Sequence, residues 1–418
     1  MKIASFQKEF KKILDRKNFS SEVNPIRKNA FEQLVRAGLP SNKWDDLRFT
    51  NFSAFNKNTF RISETKDAFS KHFDYTNMGI KNSYRLIFQN GHYQKNTSCL
   101  PDEIEILTNL EYCQRKSWNI QQPNKFPFDL LNTAFMDSGM SLILKKNKNI
   151  DLPIFLIFFT SGEHSLMVTP RIHIELGTNS SLTLFEHHFG VGRSHFSNTS
   201  TFISLEDHSS LDHVRMQMDS NESINIGNIH TEQDKNSEYN FSSFGIGSNL
   251  GSVNINTSLN GKGAECHLNG LSLSKNSQHL DTHIVTKHNT SDCTSTQNFK
   301  SILRDQSSGV FNGKVIVQKD AQKTDSNQSN KNLLLSDNAK INSNPQLVIH
   351  ADNVKCSHGS STGEIEPDAL FYMRSRGLDE KTAKSLLING FASETFEKIN
   401  DEEIRKYVSQ QFERWVDG

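Results

Sequence analysis

The sequence predicts a mainly β protein built around a β-solenoid, with an N-terminal α/β region and helices at the C-terminus. Short runs of alternating apolar and polar residues recur from about residue 150 to 350, polar turns separate them, and no helical period of useful length intervenes. A chain in which strands follow one another through polar corners, without crossover helices, is typical of a sandwich, a barrel or a solenoid. Asparagine and serine at the corners favour the solenoid, because these residues hydrogen-bond the backbone and tolerate left-handed geometry.

By these patterns the chain divides into three predicted domains, at residues 1–145, 146–355 and 356–418. In the first, Asn24 and Pro25 predict the start of a helix and Gly38 its end, while Asn90-Gly91 predicts a hairpin with a type I′ turn. In the second, strand signals at 171–176, 181–185, 253–255 and 314–317 alternate with polar turns at 177–180, 206–210, 260–263, 305–309 and 336–338.

The third domain regains a helical period. Pro367 opens a first helix that Gly377 ends, and Asp379 caps a second. Asn400, with Glu403 three residues later, forms a start similar to a capping box for a third helix. A tail of about 50 residues is too small to bury much apolar surface alone. Its apolar faces are therefore expected to pack on the strands, on each other or on a partner.

Composition argues against several classes of partner and location. Lysine and arginine together number 47, as do aspartate and glutamate, so no bulk charge recruits nucleic acid or an acidic membrane. The five cysteines are widely spaced without a CxxC pair, which indicates a reducing compartment rather than a disulfide framework. Residues 1–18 lack the apolar segment of a signal peptide, and the apolar run at 154–159 is too short to span a bilayer. We therefore expect a soluble, cytoplasmic protein.

The sequence shows none of the common catalytic or nucleotide-binding motifs in its usual context: no GxGxxG after a strand, no phosphate loop, no GxSxG elbow and no HExxH, although the letters GSSTG at 359–363 fit the GxSxG string. The chain is therefore not expected to be an enzyme or to bind a nucleotide itself. Sixteen histidines are scattered over polar strand faces, where histidines are usually solvated or hydrogen-bonded. The adjacent His187 and His188 would point to opposite faces of a strand and could not easily bind one ion.

Cys356 and His358 are the strongest chemical signal. They lie two residues apart in a predicted strand, so their side chains point to the same face. Thiolate and imidazole together favour iron, zinc or copper over magnesium or calcium. Two ligands do not complete a metal site, so the pair is either shared with another chain or is a structural thiol beside a hydrogen-bonded histidine.

The segments around this pair resemble the SufB/SufD family of the SUF iron–sulfur cluster assembly machinery, and its SufD members in particular. The runs that carry the resemblance are AQKTD at 321–325, QSNKNLLLS at 328–336, PQL at 345–347, ADNVKCSHG at 351–359 and FYMRSRG at 371–377. Weaker similarity extends to LLNTA at 130–134 and KWDDLRFT at 43–50, so most of the chain is covered. At 47–50 this chain has LRFT where the family more often has WKYT.

The resemblance implies a right-handed parallel β-helix that serves as a non-catalytic scaffold. It also implies a SufB-like paralogue paired through the β-helix, a SufC-like ABC ATPase bound by the C-terminal helices and, for the isolated chain, a homodimer. Cys356 and His358 would face SufB where a transient iron–sulfur cluster assembles, His358 as an iron ligand and Cys356 as a second ligand or redox-sensitive neighbour. The candidate residues for ATPase docking are Phe371, Tyr372, Arg374, Arg376, Leu386 and Leu387.

Two other functions stay open on the residues alone. A β-helix polysaccharide lyase or hydrolase would carry acids or bases clustered along one groove, whereas the acids here are scattered. A plain interaction module would use Cys356 and His358 for packing only.

Overall fold

The computed structural model describes residues 3–16, 23–64, 67, 80–116, 126–162, 165–192 and 194–418. Strand accounts for 45% of the protein and helix for 25%, so the chain is mainly β, as predicted. The helices are α1 (Ile3–Leu14), α2 (Val23–Ala37), α3 (Ser53–Lys57), α4 (Asn109–Arg115), α5 (Pro127–Phe135), α6 (Pro367–Ser375), α7 (Glu380–Phe396) and α8 (Glu402–Asp417). None of these helices is long and apolar enough to cross a membrane.

The strands are β1 (Arg61–Ile62), β2 (Tyr84–Gln89), β3 (His92–Tyr93), β4 (Ile104–Thr108), β5 (Ser138–Leu144), β6 (Ile154–Gly162), β7 (Leu166–Val168), β8 (Pro170–Leu176), β9 (Ser181–Gly192), β10 (Phe196–Leu205), β11 (Ser210–Met218), β12 (Ile224–Gln233), β13 (Glu238–Ile246), β14 (Leu250–Leu259), β15 (Glu265–Ser274), β16 (His279–His288), β17 (Thr294–Leu303), β18 (Ser308–Val317), β19 (Asp325–Leu334), β20 (Lys340–Ile349) and β21 (Lys355–Gly363).

From β5 onwards the chain winds back and forth between two sheets. Sheet A contains β5, β8 and the even-numbered strands from β10 to β20, and sheet B contains β6 and the odd-numbered strands from β9 to β21. Neighbouring strands within each sheet are parallel and stay in register along their length. One strand from each sheet makes one turn, so the fold is a β-solenoid of about eight turns, which confirms the predicted parallel β-helix.

The corners that lead from sheet A to sheet B repeat one backbone geometry. Asn179, His208, Asn236, Asp292 and Lys323 occupy these corners with φ angles between 52° and 60°, in the left-handed region. The amide of each donates to a backbone carbonyl of the following corner at 2.6 to 3.0 Å, so the corners stack like the strands. Asparagine and aspartate are enriched at positive φ, which explains why the polar turns of the sequence identified a solenoid.

The interior between the sheets changes character along the solenoid. Its middle is filled by buried aliphatic and aromatic side chains from both sheets, among them Leu184, Leu211 and Ile255. In β19, next to the last strand of sheet B, four successive residues that alternate toward the interior are polar and almost fully buried: Ser326, Gln328, Asn330 and Asn332.

The N-terminal region covers part of the outer face of sheet A. Helices α1, α2, α3 and α5 form an apolar cluster with outward-facing residues of β10, β12 and β14. Asn90 and Gly91 have φ angles of 49° and 81°, which confirms the type I′ hairpin between β2 and β3. The predicted helix start was wrong: Asn24 and Pro25 lie inside α2, where proline is tolerated because the amides of a first turn have no partner within the helix.

The C-terminal helices α7 and α8 pack on the outer face of sheet B. Phe396 stacks on Phe244 of β13 with ring centroids 5.8 Å apart, and Trp415 lies beneath the Arg304 guanidinium. Asp379 caps α7 as predicted, accepting from the amide of Thr382 at 2.9 Å.

The predicted start of the last helix was wrong by one residue. Asp401, rather than Asn400, caps α8 by accepting from the amide of Ile404 at 2.9 Å. The Asn400 side chain instead donates to Asp212 of β11, so it ties the loop before the helix to the solenoid. A carboxylate at the cap also suits the positive end of the helix dipole.

The division into domains at residues 145 and 355 stays a prediction. Strand β5 precedes the first boundary and already pairs in parallel with β8. Strand β21 begins at the second boundary and pairs with β19 as far as Gly363. The solenoid strands therefore continue on both sides of the predicted core.

Candidate functional site

The last turn of the solenoid, formed by β20 and β21, has two free edges. Within the described chain β20 pairs with β18 alone and β21 with β19 alone, and most of their side chains are exposed. Pro345 in the middle of β20 fits this position, because proline within a sheet is confined to edge strands and bulges. The Oγ atoms of Ser343 and Ser360 lie 2.8 Å apart and connect the two strands across the end. Free strand edges of this length are templates for pairing with another chain.

Cys356 and His358 both lie on β21. The two side chains lie on one face of the strand, as the sequence predicts, and their register with the buried Ser326 and Gln328 shows that this face is turned toward the solenoid interior. Cys356 is half-buried and packs against the cluster that contains Val315 and Val317, whereas His358 is exposed. The pair therefore lies at the mouth of the interior, where a second chain added to the edge would meet it.

Polar side chains lie next to Cys356 and His358 on the neighbouring strands of sheet B. Cys356 is in register with Ser326, whose Oγ lies 2.9 Å from Oγ of Ser295 on the next strand. His358 is in register with Gln328, whose Nε2 donates to Oε1 of Gln297 at 2.6 Å. On the sheet B side, columns of hydroxyls and amides thus lead from this end into the protein.

The environment of Cys356 disfavours the thiolate. Burial raises the pKa of its thiol, and the nearby carboxylate of Asp325 raises it further, while a backbone hydrogen bond at Ser326 acts in the opposite direction. A cysteine in this setting is less nucleophilic at neutral pH than a free one. Bound metal would reverse this balance, because coordination deprotonates a thiol.

Within the part of the chain that the structure describes, no third potential metal ligand joins Cys356 and His358. Among the described residues, no group of three or more histidine, cysteine, aspartate or glutamate side chains is arranged to hold a metal ion. A thiol and an imidazole can supply two of the ligands that iron commonly takes in iron–sulfur proteins, but not a complete set. The pair can therefore act only as part of a site that another molecule completes.

Comparison with protein families supplies the context for this end. Residues 158–391 match the family described as the SufBD core domain of SUF system FeS cluster assembly, which is more than half of the chain. The chain belongs to the SufBD family. Its matched region runs from β6 through the solenoid and the terminal turn into α7.

Three relatives show how far the similarity to SufBD proteins extends. An iron–sulfur cluster assembly SufBD family protein of Synechocystis is 33% identical over 334 residues, covering 75% of this chain and 74% of the relative. The iron–sulfur cluster assembly protein SufD of Escherichia coli is 27% identical over 395 residues, covering 92% and 91%. Protein ABCI7, chloroplastic, of Arabidopsis thaliana is 29% identical over 410 residues, covering 91% and 83%. The N-terminal and C-terminal regions are thus shared as well as the core.

The docking residues predicted for this SufBD chain lie on and beside α6. None of the side chains of α6 is buried, and Phe371 and Tyr372 are 74% and 58% exposed. Arg376 donates to the Tyr372 hydroxyl at 3.1 Å and lies over its ring, so the tyrosine is held in place although it faces solvent. Arg374 is exposed and lies 3.8 Å from Glu380. On α7, Leu386 is exposed and Leu387 is half-buried.

Sequence patterns did not identify the buried ionic groups of this SufBD solenoid. His187 and His188 do face opposite sides, as predicted, but both are buried: His187 packs on Tyr407 of α8, and His188 contacts Glu186 inside the solenoid. His213 also lies 3.2 Å from Glu186. Burial alone would raise the pKa of Glu186, but the two imidazoles hold it well below its ordinary value. In a solenoid both faces of a strand can be covered, so an alternating polar face need not meet water.

Proposed function

We propose that this SufBD chain is a non-catalytic, SufD-type scaffold subunit, which pairs with a SufB-like paralogue through β20 and β21 and presents Cys356 and His358 to a nascent iron–sulfur cluster. The observation that carries the proposal is the coincidence of two free strand edges with an incomplete soft-ligand pair on the same turn. An added chain would satisfy the edge amides and carbonyls and could supply the missing ligands. The cluster is cargo that is assembled and passed on, so an incomplete site in each chain suits its release.

The exposed aromatic residues of α6 support the second part of the proposal, binding of a SufC-like ABC ATPase. Phe371 and Tyr372 are large apolar side chains of a helix that buries none of its residues against the solenoid. Aromatic and arginine side chains together are typical anchors of protein interfaces. ATP hydrolysis in the docked subunit would then move α6 and α7 relative to the strands and change the geometry of the terminal turn.

Two further features follow from the same proposal. Without its paralogue, the chain would pair with a second copy through β20 and β21, because the edges are exposed in either case. We also infer a cytoplasmic location, which the five unpaired cysteines support.

Co-expression with SufB-like and SufC-like subunits tests the proposal, with composition measured by native mass spectrometry. We expect one stable complex containing all three subunits. Val348→Asp with Ile349→Asp, on the exposed end of β20, should remove the SufB-like subunit, because it places charge in the paired edge. Val191→Asp on β9 is the matched control, since Val191 is equally apolar and exposed but lies far from the terminal turn. Isolation of this chain as an inert monomer from cells that express all three subunits would contradict the proposal.

A further inference from the structure

A groove with a cavity volume of about 290 Å³ lies on the outer face of sheet A. Its strands directly precede the terminal strand β20 of sheet A, whereas Cys356 and His358 lie on β21 of sheet B, so the groove is separate from that pair. Strands β14, β16 and β18 form its floor and the N-terminal region forms one wall. Among the described residues its lining is Trp44, Phe126, Asn254, Ile255, Asn256, His283, Ile284, Val285, Lys287, Asn312 and Lys314.

Two buried polar side chains line the floor of this groove with unused hydrogen-bonding atoms. His283 is 7% exposed; its Nε2 faces the Asp281 carboxylate, and its Nδ1 has no hydrogen-bond partner within the described structure. Asn254 is 2% exposed, and its Oδ1 is likewise without a partner there. Buried polar atoms are nearly always satisfied by protein, water or ligand. Both residues therefore offer a hydrogen-bonding atom to a polar molecule in the groove.

A ladder of asparagines fixes the Asn254 side chain. Nδ2 of Asn228 donates to Oδ1 of Asn198 at 2.9 Å, and Nδ2 of Asn254 donates to Oδ1 of Asn228 at 3.1 Å. The ladder uses the Nδ2 donor of Asn254 and leaves its Oδ1 acceptor without a partner. Asn254 itself is in register with His283 on the next strand. The repeated amide stack thus ends at the groove instead of continuing across the sheet.

The position of His283 is set by a buried carboxylate. Oδ2 of Asp281 lies 3.6 Å from Nε2 of His283, and Oδ1 lies 2.6 Å from Nε2 of His279. Thr50 donates a further hydrogen bond to Asp281 from the N-terminal region. Burial alone would raise the pKa of Asp281, but the two imidazoles hold it well below its ordinary value, so it is ionised at neutral pH. The Asp281 carboxylate is therefore a fixed partner on one side of the His283 ring, and the side of the ring that faces the groove can bind another partner.

The rest of the lining combines positive charge with aromatic surface. Lys287 and Lys314 reach the groove from β16 and β18, and neither has a carboxylate within 4.0 Å in the described chain. No acidic residue is among the described lining residues. Trp44 and Phe126, both half-buried, form the wall contributed by the N-terminal region. The groove is therefore lined by planar rings, by two ammonium groups and by buried amide and imidazole atoms.

We propose that this groove binds a planar heterocycle carrying an anionic group, of about the size of a nucleoside monophosphate. The two lysines would hold the anion, the Trp44 and Phe126 rings would flank the heterocycle, and Asn254 and His283 would bond to its polar edge. A cavity near 300 Å³ is at the lower end of the range for small-molecule sites. This proposal departs from the expectation that the chain binds no nucleotide. That expectation depended on the missing phosphate loop, whereas binding on an open sheet face does not require such a loop. It does not depend on the proposed scaffold function.

The full-length chain tests this with AMP as the probe, by isothermal titration calorimetry and Trp44 fluorescence. We expect saturable binding of AMP with a Kd below about 1 mM, and weaker binding of both inorganic phosphate and adenosine, since each lacks half of the recognised chemistry. Lys287→Ala with Lys314→Ala should weaken AMP at least about tenfold, the usual effect of losing hydrogen bonds to a charged group. Trp44→Phe should remove the fluorescence change while leaving calorimetric binding.

Lys319→Ala is the matched control, because Lys319 is exposed in the turn after β18 and outside the groove. It should bind AMP like the unmodified chain, and melting curves should show that all variants are folded. Absence of saturable AMP binding up to about 10 mM would overturn the proposal. Phosphate or adenosine binding as tightly as AMP, or unchanged AMP affinity in the double lysine variant, would overturn it equally.

Discussion

Cys356 lies in register with Ser326 on the neighbouring strand and continues a column of hydroxyls that passes through Ser295 into the solenoid. The thiol therefore lies at the end of a polar column and also packs against the apolar cluster of Val315 and Val317. Its pKa is nevertheless raised, first by burial and then by the carboxylate of Asp325. The residue is thus held as a thiol until a metal or a partner changes its surroundings.

The first prediction concerns this charge. Asp325→Asn should lower the pKa of Cys356 and speed its alkylation by iodoacetamide at about pH 8, because the thiolate no longer faces a neighbouring anion. The rate is followed on the peptide that contains Cys356 by mass spectrometry, in a Cys99→Ser background since Cys99 is also exposed. Asp352→Asn, in the corner before β21, is a control for the loss of a surface charge. Equal rates with and without Asp325 would show that burial alone sets the pKa.

The second prediction concerns His358. In the reconstituted three-subunit complex, His358→Ala should lower the cluster formed per complex by about tenfold without changing subunit composition, since it removes the proposed iron ligand and His358 is exposed. Iron and sulfide content, together with the visible absorption of the cluster, measure the effect. His350→Ala removes an exposed histidine from the nearby corner and should have no effect. A normal cluster yield in His358→Ala would eliminate this residue as a ligand.

The solenoid and the shared strand face of Cys356 and His358 could be predicted because both depend on local rules. Corner residues such as Asn179 and Asn236 indicate a left-handed backbone conformation, because asparagine tolerates positive φ. A spacing of two residues places Cys356 and His358 on the same face of a strand. Neither inference needs to know which strands become neighbours. The cap of α8 shows the limit of local rules, because Asn400 and Asp401 are both good caps and only the contact of Asn400 with Asp212 decides between them.

The groove on sheet A could not be predicted, because its residues come together only through stacking. Asn254, His283 and Asn312 are about 29 residues apart along the chain, which is the length of one turn, yet they occupy one row of the sheet. Trp44 reaches them from the N-terminal region. The buried pairing of Glu186 with His213 has the same origin. Registers between turns, rather than patterns within a strand, determine these sites.

The third prediction separates ATPase docking from folding. Phe371→Ala with Tyr372→Ala should abolish binding of the SufC-like subunit while changing the free energy of unfolding by less than about 0.5 kcal/mol, because both side chains are largely exposed. Phe49→Ala, at an exposed aromatic residue of the N-terminal region, should leave ATPase binding intact. Deleting residues 379–418 is a poorer test, since α7 and α8 cover apolar residues of sheet B such as Phe244. Retained binding in the double variant would place the docking surface elsewhere.

His288 predicts how stability depends on pH. Its Nε2 lies 2.8 Å from Oγ of Ser295 inside the solenoid, and burial lowers its pKa from 6.5 to about 4. Between pH 6.5 and about 4, the unfolded chain binds a proton at His288 that the folded chain does not bind. The contribution of this residue to the free energy of unfolding is therefore fully present above pH 6.5 and is lost as the pH falls toward 4. At about pH 5.5 the withdrawn stability amounts to roughly 1 kcal/mol.

His288→Gln should therefore reduce the loss of stability between about pH 7.5 and 5.5 by roughly 1 kcal/mol, measured as the free energy of unfolding in urea. Glutamine cannot be protonated, and its amide can still bond to the Ser295 hydroxyl, so the variant removes the titration and keeps a polar partner. Between about pH 7.5 and 8.5 the two proteins should respond alike, because the imidazole is neutral in both folded and unfolded chains. An identical loss on acidification in both proteins would mean that burial does not lower the pKa of His288 in the folded protein.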